Sequence, residues 1–275
     1  FCSRGKKEFV EFPVPAPVTL LCLSMAQYEI MEPCQIHING QYIIYDAGRL
    51  QPPQNGLFDP AALQRCGCWI GSPAGGRGSA GYIVIDGIPA VLRRYRRGGM
   101  LASALGERYV WLGLARSRPW REWRMLAKLH TEGLPVPAPL AARVKPSGIF
   151  YRADIVLERI DSCTLAEYLG KDRLPLEQWY AIGLAVGRLH RRGVDHADLN
   201  AHNILIRPHG DSSVYVIDFD RARLRSPQQR WQRRNLVRLQ RSLRKLAAQV
   251  PGFAGADDEA LAQLRRGWSA AAQGE

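Results

Sequence analysis

Two periodicities run along the chain. Ile36 and Ile38, then Tyr42 to Tyr45, flank Asn39-Gly40, a dipeptide that tolerates positive φ at both central positions of a two-residue hairpin. Two antiparallel strands are therefore expected between Gln35 and Tyr45. Tyr82 to Ile85 and Ile88 to Tyr95 repeat the arrangement around Asp86-Gly87, and the apolar run Tyr151 to Leu157 predicts a further strand leading to Glu158. Residues 48–68, rich in Pro, Gly, Asn and Gln, read as a surface connection.

Helical spacing takes over between and after these strands. Glu122 to Leu129 places Met125, Leu126 and Leu129 on one face and stops before Gly133 and Pro135. Leu176 to Arg192 carries Trp179, Ile182, Val186 and Leu189 three and four residues apart, and Gln228 to Gln249 carries Leu236, Leu239, Leu243 and Leu246 in the same way. Strands first and helices later predict an α+β molecule of two lobes. The boundaries expected are an irregular extension over 1–30, with no catalytic importance, a β-rich lobe over 31–158 and a helical lobe over 159–275, hinged near Glu158. Met25 and Met31 are candidate translation starts, since residue 1 is Phe.

Gly76, Gly78 and Gly81 form G-x-G-x-x-G immediately before the Tyr82 strand. The motif alone fits a dinucleotide fold, a phosphate loop of the kinase type or a flexible turn. In a dinucleotide fold the glycines open a helix. Here they lead into a β-hairpin, so backbone amides can close over phosphates as in a kinase glycine-rich loop. The next strand ends Ala90-Val91-Leu92-Arg93, where a kinase places a basic residue, and Glu122 on the following helix is the natural ion-pair partner for Arg93, the competing reading being an ordinary exposed helix residue.

The most specific phrase is His196-Ala197-Asp198-Leu199-Asn200-Ala201-His202-Asn203, followed by Asp218-Phe219-Asp220 fifteen residues after Asn203. It matches the H-x-D-x-x-x-x-N and D-F-x pattern of the protein-kinase-like superfamily. Phosphoryl transfer asks chiefly for positioning and charge neutralisation. Asp198 suits the base that accepts the proton of the attacking hydroxyl, and Asn203 with Asp218 offers the hard oxygen donors that hold Mg²⁺ on the phosphates of ATP. His196 reads as a structural buttress and His202 as solvated, while Asp220, standing where the usual pattern has Gly, receives no role. Arg in place of Lys at position 93 keeps a catalytically inert, kinase-fold binding protein in view.

Charge narrows the partner. Thirty-eight Lys and Arg against 25 Asp and Glu leave a net +13, which favours an anionic partner. Between Phe219 and Lys245 ten basic residues meet one acid, Asp220. That excess points to an acidic substrate or an anionic membrane surface rather than to nucleic acid, for which no recognisable binding framework is present. Fifty-seven residues follow Asp218 without an A-P-E sequence, too few for a peptide-docking lobe, so no protein substrate is expected. No apolar run reaches the ~20 residues of a membrane-crossing helix. Residues 99–115, apolar and aromatic, fit either a contact with the bilayer or a helix in the small-lobe core. The six cysteines are scattered except for Cys66-Gly67-Cys68 and read as reduced thiols.

The phrases Ala90 to Gly99, Gly133-Leu134-Pro135-Val136-Pro137, Phe150 to Asp154, His196 to Leu205 and Ile217 to Arg221 resemble the bacterial 3-deoxy-D-manno-octulosonic acid (Kdo) kinases of lipopolysaccharide core assembly. The resemblance covers roughly residues 35–250. It implies transfer of the ATP γ-phosphate to the 4-hydroxyl of the Kdo sugar on a lipid A precursor, Kdo-lipid IVA, an acidic glycolipid met at the cytoplasmic face of the inner membrane by a peripheral protein. The Arg-rich run after Val91 resembles that family as well. A kinase for another core sugar, a heptose, would share every motif.

Overall fold

The computed structural model describes residues 31–54, 56–73, 80–96, 108–207, 213–250, 253 and 256–273. Residues 1–30, Gly76, Gly78 and the 97–107 stretch lie outside the described residues.

Two turn dipeptides organise the first lobe. Strands β1 (Pro33–Ile38) and β2 (Gln41–Asp46) pair antiparallel around Asn39 and Gly40, whose φ values of 49° and 70° are the left-handed pair that a type I′ turn demands. Strands β4 (Ala80–Ile85) and β5 (Ile88–Arg94) pair around Asp86 and Gly87, at 48° and 79°. With β3 (Trp69–Gly71), β6 (Tyr109–Val110), β7 (Pro139–Ser147) and β8 (Phe150–Glu158) they form an eight-stranded antiparallel sheet, ordered β1-β2-β7-β8-β5-β4-β3, with β6 also on β8. The last of these strands ends at Glu158, the expected hinge.

Alternation sorts the side chains of this sheet between two cores. Ile43, Ile83, Ala90, Leu92, Leu140 and Val156 pack on one face against Leu50, Leu57, Phe58 and Leu63. Those four come from the segment expected to be a surface connection, and the structure corrects that reading. Asp59 caps helix α1 (Pro60–Arg65), its carboxylate accepting from the Ala61 amide with Pro60 in the first turn, and the helix and its approach close the outer core. On the other face Ile44, Ala142, Ile155 and Leu157 meet helix α2 (Arg118–Thr131). This helix begins four residues earlier than its spacing predicted. Trp120 and Trp123, both 1% exposed, anchor it with Leu126 and Leu129, while Met125 is half-buried.

The helical lobe shares the second core. Helices α3 (Leu165–Leu169), α4 (Leu176–Arg191), α5 (Gln229–Gln249) and α6 (Asp258–Gln273) surround short strands β9 (Cys163–Thr164), β10 (Val194–Asp195), β11 (Ile204–Ile206), β12 (Val214–Val216) and β13 (Arg223–Leu224). The stripe expected on α4 is buried, as are Leu236, Leu239 and Leu243 of the one on α5, Leu246 being half-buried, and α5 adds Trp231, Gln232 and Asn235. Helix α6 packs on α4 at glycines: a Cβ at Gly183 would lie 2.1 Å from the Leu264 carbonyl oxygen, and one at Gly267 2.1 Å from that of Tyr180. Backbones this close exclude any side chain at either position. Sheet lobe and helical lobe together make the α+β, two-lobed kinase-like fold.

Of residues 99–115, those from 108 onward are described, and they form β6 and a 3₁₀ turn at Leu114–Arg116, not a helix. Tyr109 is buried, while Val110 and Leu112 are 50% and 65% exposed.

Candidate active site

The alternation that buries Ala90 and Leu92 in the outer core turns Arg93 and Tyr95 to the opposite face, beneath α2. There Arg93 Nη2 donates to both carboxylate oxygens of Glu122, at 2.5 and 2.6 Å, and Nη1 to Asp218. The Tyr95 hydroxyl donates to Glu122 as well. One guanidinium thus ties the sheet, helix α2 and the loop after β12 to a single point, and the Arg93–Glu122 pair read from the sequence is present. Glu122 is 1% exposed. Burial pushes its carboxyl up to about 7, against the pull of Arg93 and Tyr95. Asp218 moves the other way: burial opposes its charge, but the Arg93 guanidinium holds it below the ordinary carboxylate value.

The loop bearing Asp198 is held by its backbone. Asn235 on α5, fully buried, accepts from the His196 amide at 2.9 Å and donates to the Asp195 carboxylate at 2.9 Å. His196 Nε2 donates to the Ile217 carbonyl at 3.0 Å and its ring stands edge-on to Phe219, the centroids 5.0 Å apart, so this histidine buttresses the loop as its position suggested. Burial lowers its pKa and keeps the ring neutral. The Asn200 and Asn203 side-chain amides both donate to the Asp198 carbonyl, at 2.9 Å each. The backbone of Asp198 is therefore fixed, while its half-exposed carboxylate has neither hydrogen bond nor ion pair among the described residues.

Strand pairing brings the second loop alongside. β11 pairs antiparallel with β12, Ile204 opposite Val216, and the Ile217 amide donates to the Asn203 carbonyl at 3.0 Å. Asp218 follows with φ +65°, a left-handed conformation that costs a non-glycine residue on the order of 1 kcal/mol. Non-glycine residues held this way concentrate at functional sites. With Asn203 Nδ2 committed to Asp198, its Oδ1 is the atom available to a cation. That oxygen and the Asp218 carboxylate are the donor chemistry Mg²⁺ takes.

Three contributors carried no signal in the sequence motif. Asp220 forms a two-pronged ion pair with Arg118 at the start of α2, Nε donating to Oδ1 at 2.6 Å and Nη2 to Oδ2. Arg118 lies 4.9 Å from the Tyr109 ring centroid, a cation–π contact. The acid that replaces glycine thus fastens the Asp218 loop to α2, and Tyr95, Arg118 and Asn235 join the site. Gly81 lies on β4, diagonally across from Arg93 on β5. Its lack of a side chain has a packing cause: a Cβ there would fall 1.9 Å from the Trp69 indole.

A kinase-like fold whose Asp198, Asn203 and Asp218 share one loop pair beside an ion-paired arginine defines a phosphotransferase. The profile of the lipopolysaccharide kinase (Kdo/WaaP) family matches residues 61–264, and the chain belongs to that family. It is 43% identical over 224 residues to a 3-deoxy-D-manno-octulosonic acid kinase of Xylella fastidiosa (strain M12), covering 79% of this chain and 86% of that protein. It is 43% identical over 209 residues to the kinase of the same name from Xanthomonas campestris pv. campestris (strain B100), covering 74% and 80%. A solved structure of WaaP in complex with acyl carrier protein aligns with a TM-score of 0.49 at 20% identity, over 80% of this chain and 87% of that one.

Proposed function

We propose that the protein transfers the γ-phosphoryl group of ATP to the 4-hydroxyl of the Kdo sugar on Kdo-lipid IVA. The observation that carries this reading is the double pairing of Arg93 with Glu122 and Asp218, which gathers strand β5, α2 and the Asp218 loop around one charge. Arg93 meets the ATP phosphates; its planar fork suits them bidentately, where Lys would act as a point charge. The unpaired Asp198 carboxylate takes the acceptor proton as the hydroxyl oxygen bonds to the γ-phosphorus and the bond to the ADP oxygen breaks. Mg²⁺, held by Asn203 Oδ1 and Asp218, supplies neutralisation of the phosphate charge. The names of the relatives at 43% identity support Kdo as the acceptor.

The protein works as a peripheral component on the anionic, cytoplasmic face of the inner membrane. Val110, Leu112 and Ile149, the last 73% exposed, stand together where β6 pairs with β8. The Trp111 amide donates to the Ile149 carbonyl, and exposed Arg108, Arg116, Lys145 and Arg152 lie on the same segment and the strands paired with it. An apolar tip in a basic collar matches a lipid interface, and no helix among the described residues is long and apolar enough to cross a membrane. Leu112→Asp with Ile149→Asp should abolish sedimentation with anionic vesicles; unchanged sedimentation overturns this placement.

For the reaction, purified protein with γ-labelled ATP and Mg²⁺ should label Kdo-lipid IVA, and Asp198→Ala should lower the rate by about 10²- to 10⁴-fold. Undiminished transfer by that variant overturns the assignment. Phosphate found by NMR only on the heptose of a heptose-bearing acceptor offered in parallel moves the acceptor, and lipid binding without any turnover leaves an inert kinase-fold protein.

A further inference from the structure

The ten basic residues that follow Phe219 do not form one surface. Arg221, Arg223, Arg225, Arg234 and Arg238 converge on a cavity of about 410 Å³, reached from one loop and one helix. The other five, all on α5, do not line it. Ala197, the residue between His196 and Asp198, also lines this cavity, so it adjoins the loop that carries Asp198.

The convergence is built into the backbone. β10 pairs antiparallel with β13, setting Asp195 opposite Arg223 and Val194 opposite Leu224. The Arg225 amide donates to the Gly193 carbonyl at 2.8 Å, and Gly193 sits at φ +79° with no room for a Cβ, which would lie 2.1 Å from the Arg225 oxygen. Arg234 and Arg238 are one turn apart on the same face of α5, which Asn235 fastens to the same Asp195. The arginine segment is thereby locked to the strand that carries the catalytic loop.

Charge is left unbalanced. Asp195 is the single carboxylate among the described residues of the cavity wall, and it is shared by Arg225 at 3.3 Å and Arg234 at 3.5 Å. Arg221, Arg223 and Arg238 have no ion-pair partner among the described residues. Like charges rooted side by side on a fixed backbone repel, and an anion that joins them lowers the energy.

We propose that this cavity binds a phosphate group carried by the acceptor molecule, away from the hydroxyl that reacts, and so positions that hydroxyl at Asp198. The proposal rests on the kinase reading above. The ATP phosphates are met by Arg93 and the Asp218 loop, so the arginine cavity serves the other substrate. Several guanidinium forks around one space suit a phosphate, with its oxygens on all sides, better than a single carboxylate.

The test combines kinetics with direct binding. The triple variant Arg221→Gln, Arg223→Gln, Arg238→Gln is compared with Arg265→Gln, Arg266→Gln, which removes charge from exposed positions of α6. For a phosphate-bearing Kdo acceptor the triple variant should raise KM tenfold or more, leaving the KM of ATP and the KM of a phosphate-free Kdo acceptor unchanged; the α6 variant should change none of them. Equal KM effects on both acceptors, or no effect, overturn the proposal. Inorganic pyrophosphate is titrated separately against each protein saturated with a non-hydrolysable ATP analogue and Mg²⁺. Binding to wild type that the triple variant loses supports the phosphate site even if neither Kdo acceptor is turned over, an outcome that would sink the kinase reading alone. Absence of pyrophosphate binding to wild type overturns the site.

Discussion

Arginine is used in two opposite ways in this molecule. In the sheet lobe and at its junction, Arg93 pairs with Glu122 and Asp218, Arg94 and Arg143 share Asp154, and Arg118 grips Asp220. These cations are neutralised where they stand, and they hold strands, helix and loop in register. Around the cavity beside Asp195, three of five arginines have no carboxylate partner among the described residues. The net +13 therefore measures little by itself. What separates the two sets is whether the fold itself supplies the carboxylate that fixes the guanidinium, as it does for Arg93 before any nucleotide arrives.

The largest expected effect comes from breaking a neutralised group. Arg93→Ala leaves Glu122 buried and Asp218 beside it without their common cation, and removing one partner of a buried pair costs about 3–5 kcal/mol. Arg93 is 22% exposed at its side chain and Glu122 not at all, so screening relieves little of this. Protonation of Glu122 offsets part of the loss, and the penalty measured by urea melts should shrink from pH 8 to pH 6. A pH-independent penalty, or none, would show that the pair is not structural.

Glu122→Gln sharpens the same side of the comparison. Because burial raises the folded-state pKa of Glu122 from 4.5 to about 7, the folded chain holds this proton more tightly than the unfolded one. Its contribution to stability is complete below pH 4.5 and is lost as pH rises through 7. The ionised form that orients Arg93 appears as pH rises through 7, where this loss of stability is completed, so ATP affinity should climb there. In Glu122→Gln both slopes should flatten. Parallel slopes in the wild type would place the titration on another group.

The paired arginines were only partly legible in the sequence. Arg93 and Glu122 could be matched because a motif fixes the strand and the helix that carry them. The hairpins were legible from Asn39-Gly40 and Asp86-Gly87, where the turn chemistry is local. Arg118 and Asp220 lie 102 positions apart and meet only after α2 packs, so no local rule announces them. Asn235 looked like one more polar residue on an amphipathic helix, and its burial follows from the approach of the catalytic loop. Helix α6 went unread although Leu261, Leu264 and Trp268 recur at helical spacing; what Gly183 and Gly267 could not announce is the backbone-to-backbone contact with α4 that they permit. The segment 48–68 misled through composition: its prolines and glycines do shape loops, but Leu50, Leu57, Phe58 and Leu63 among them close a core.

The smallest expected effect belongs to the unpaired arginines, and its sign is what matters. Substitution of Arg93 removes an attraction the fold depends on, whereas glutamine at Arg221, Arg223 and Arg238 removes mutual repulsion and no ion pair. The melting temperature of that triple variant should therefore stay level or rise in dilute buffer, and the difference should close as salt screens the remaining charges. Wild type should in turn gain stability from added pyrophosphate by mass action, and the variant should not. A clear loss of stability in the triple variant would mean that these arginines, like Arg93, are held by partners within the fold, and the division between the two regions would fail at that point.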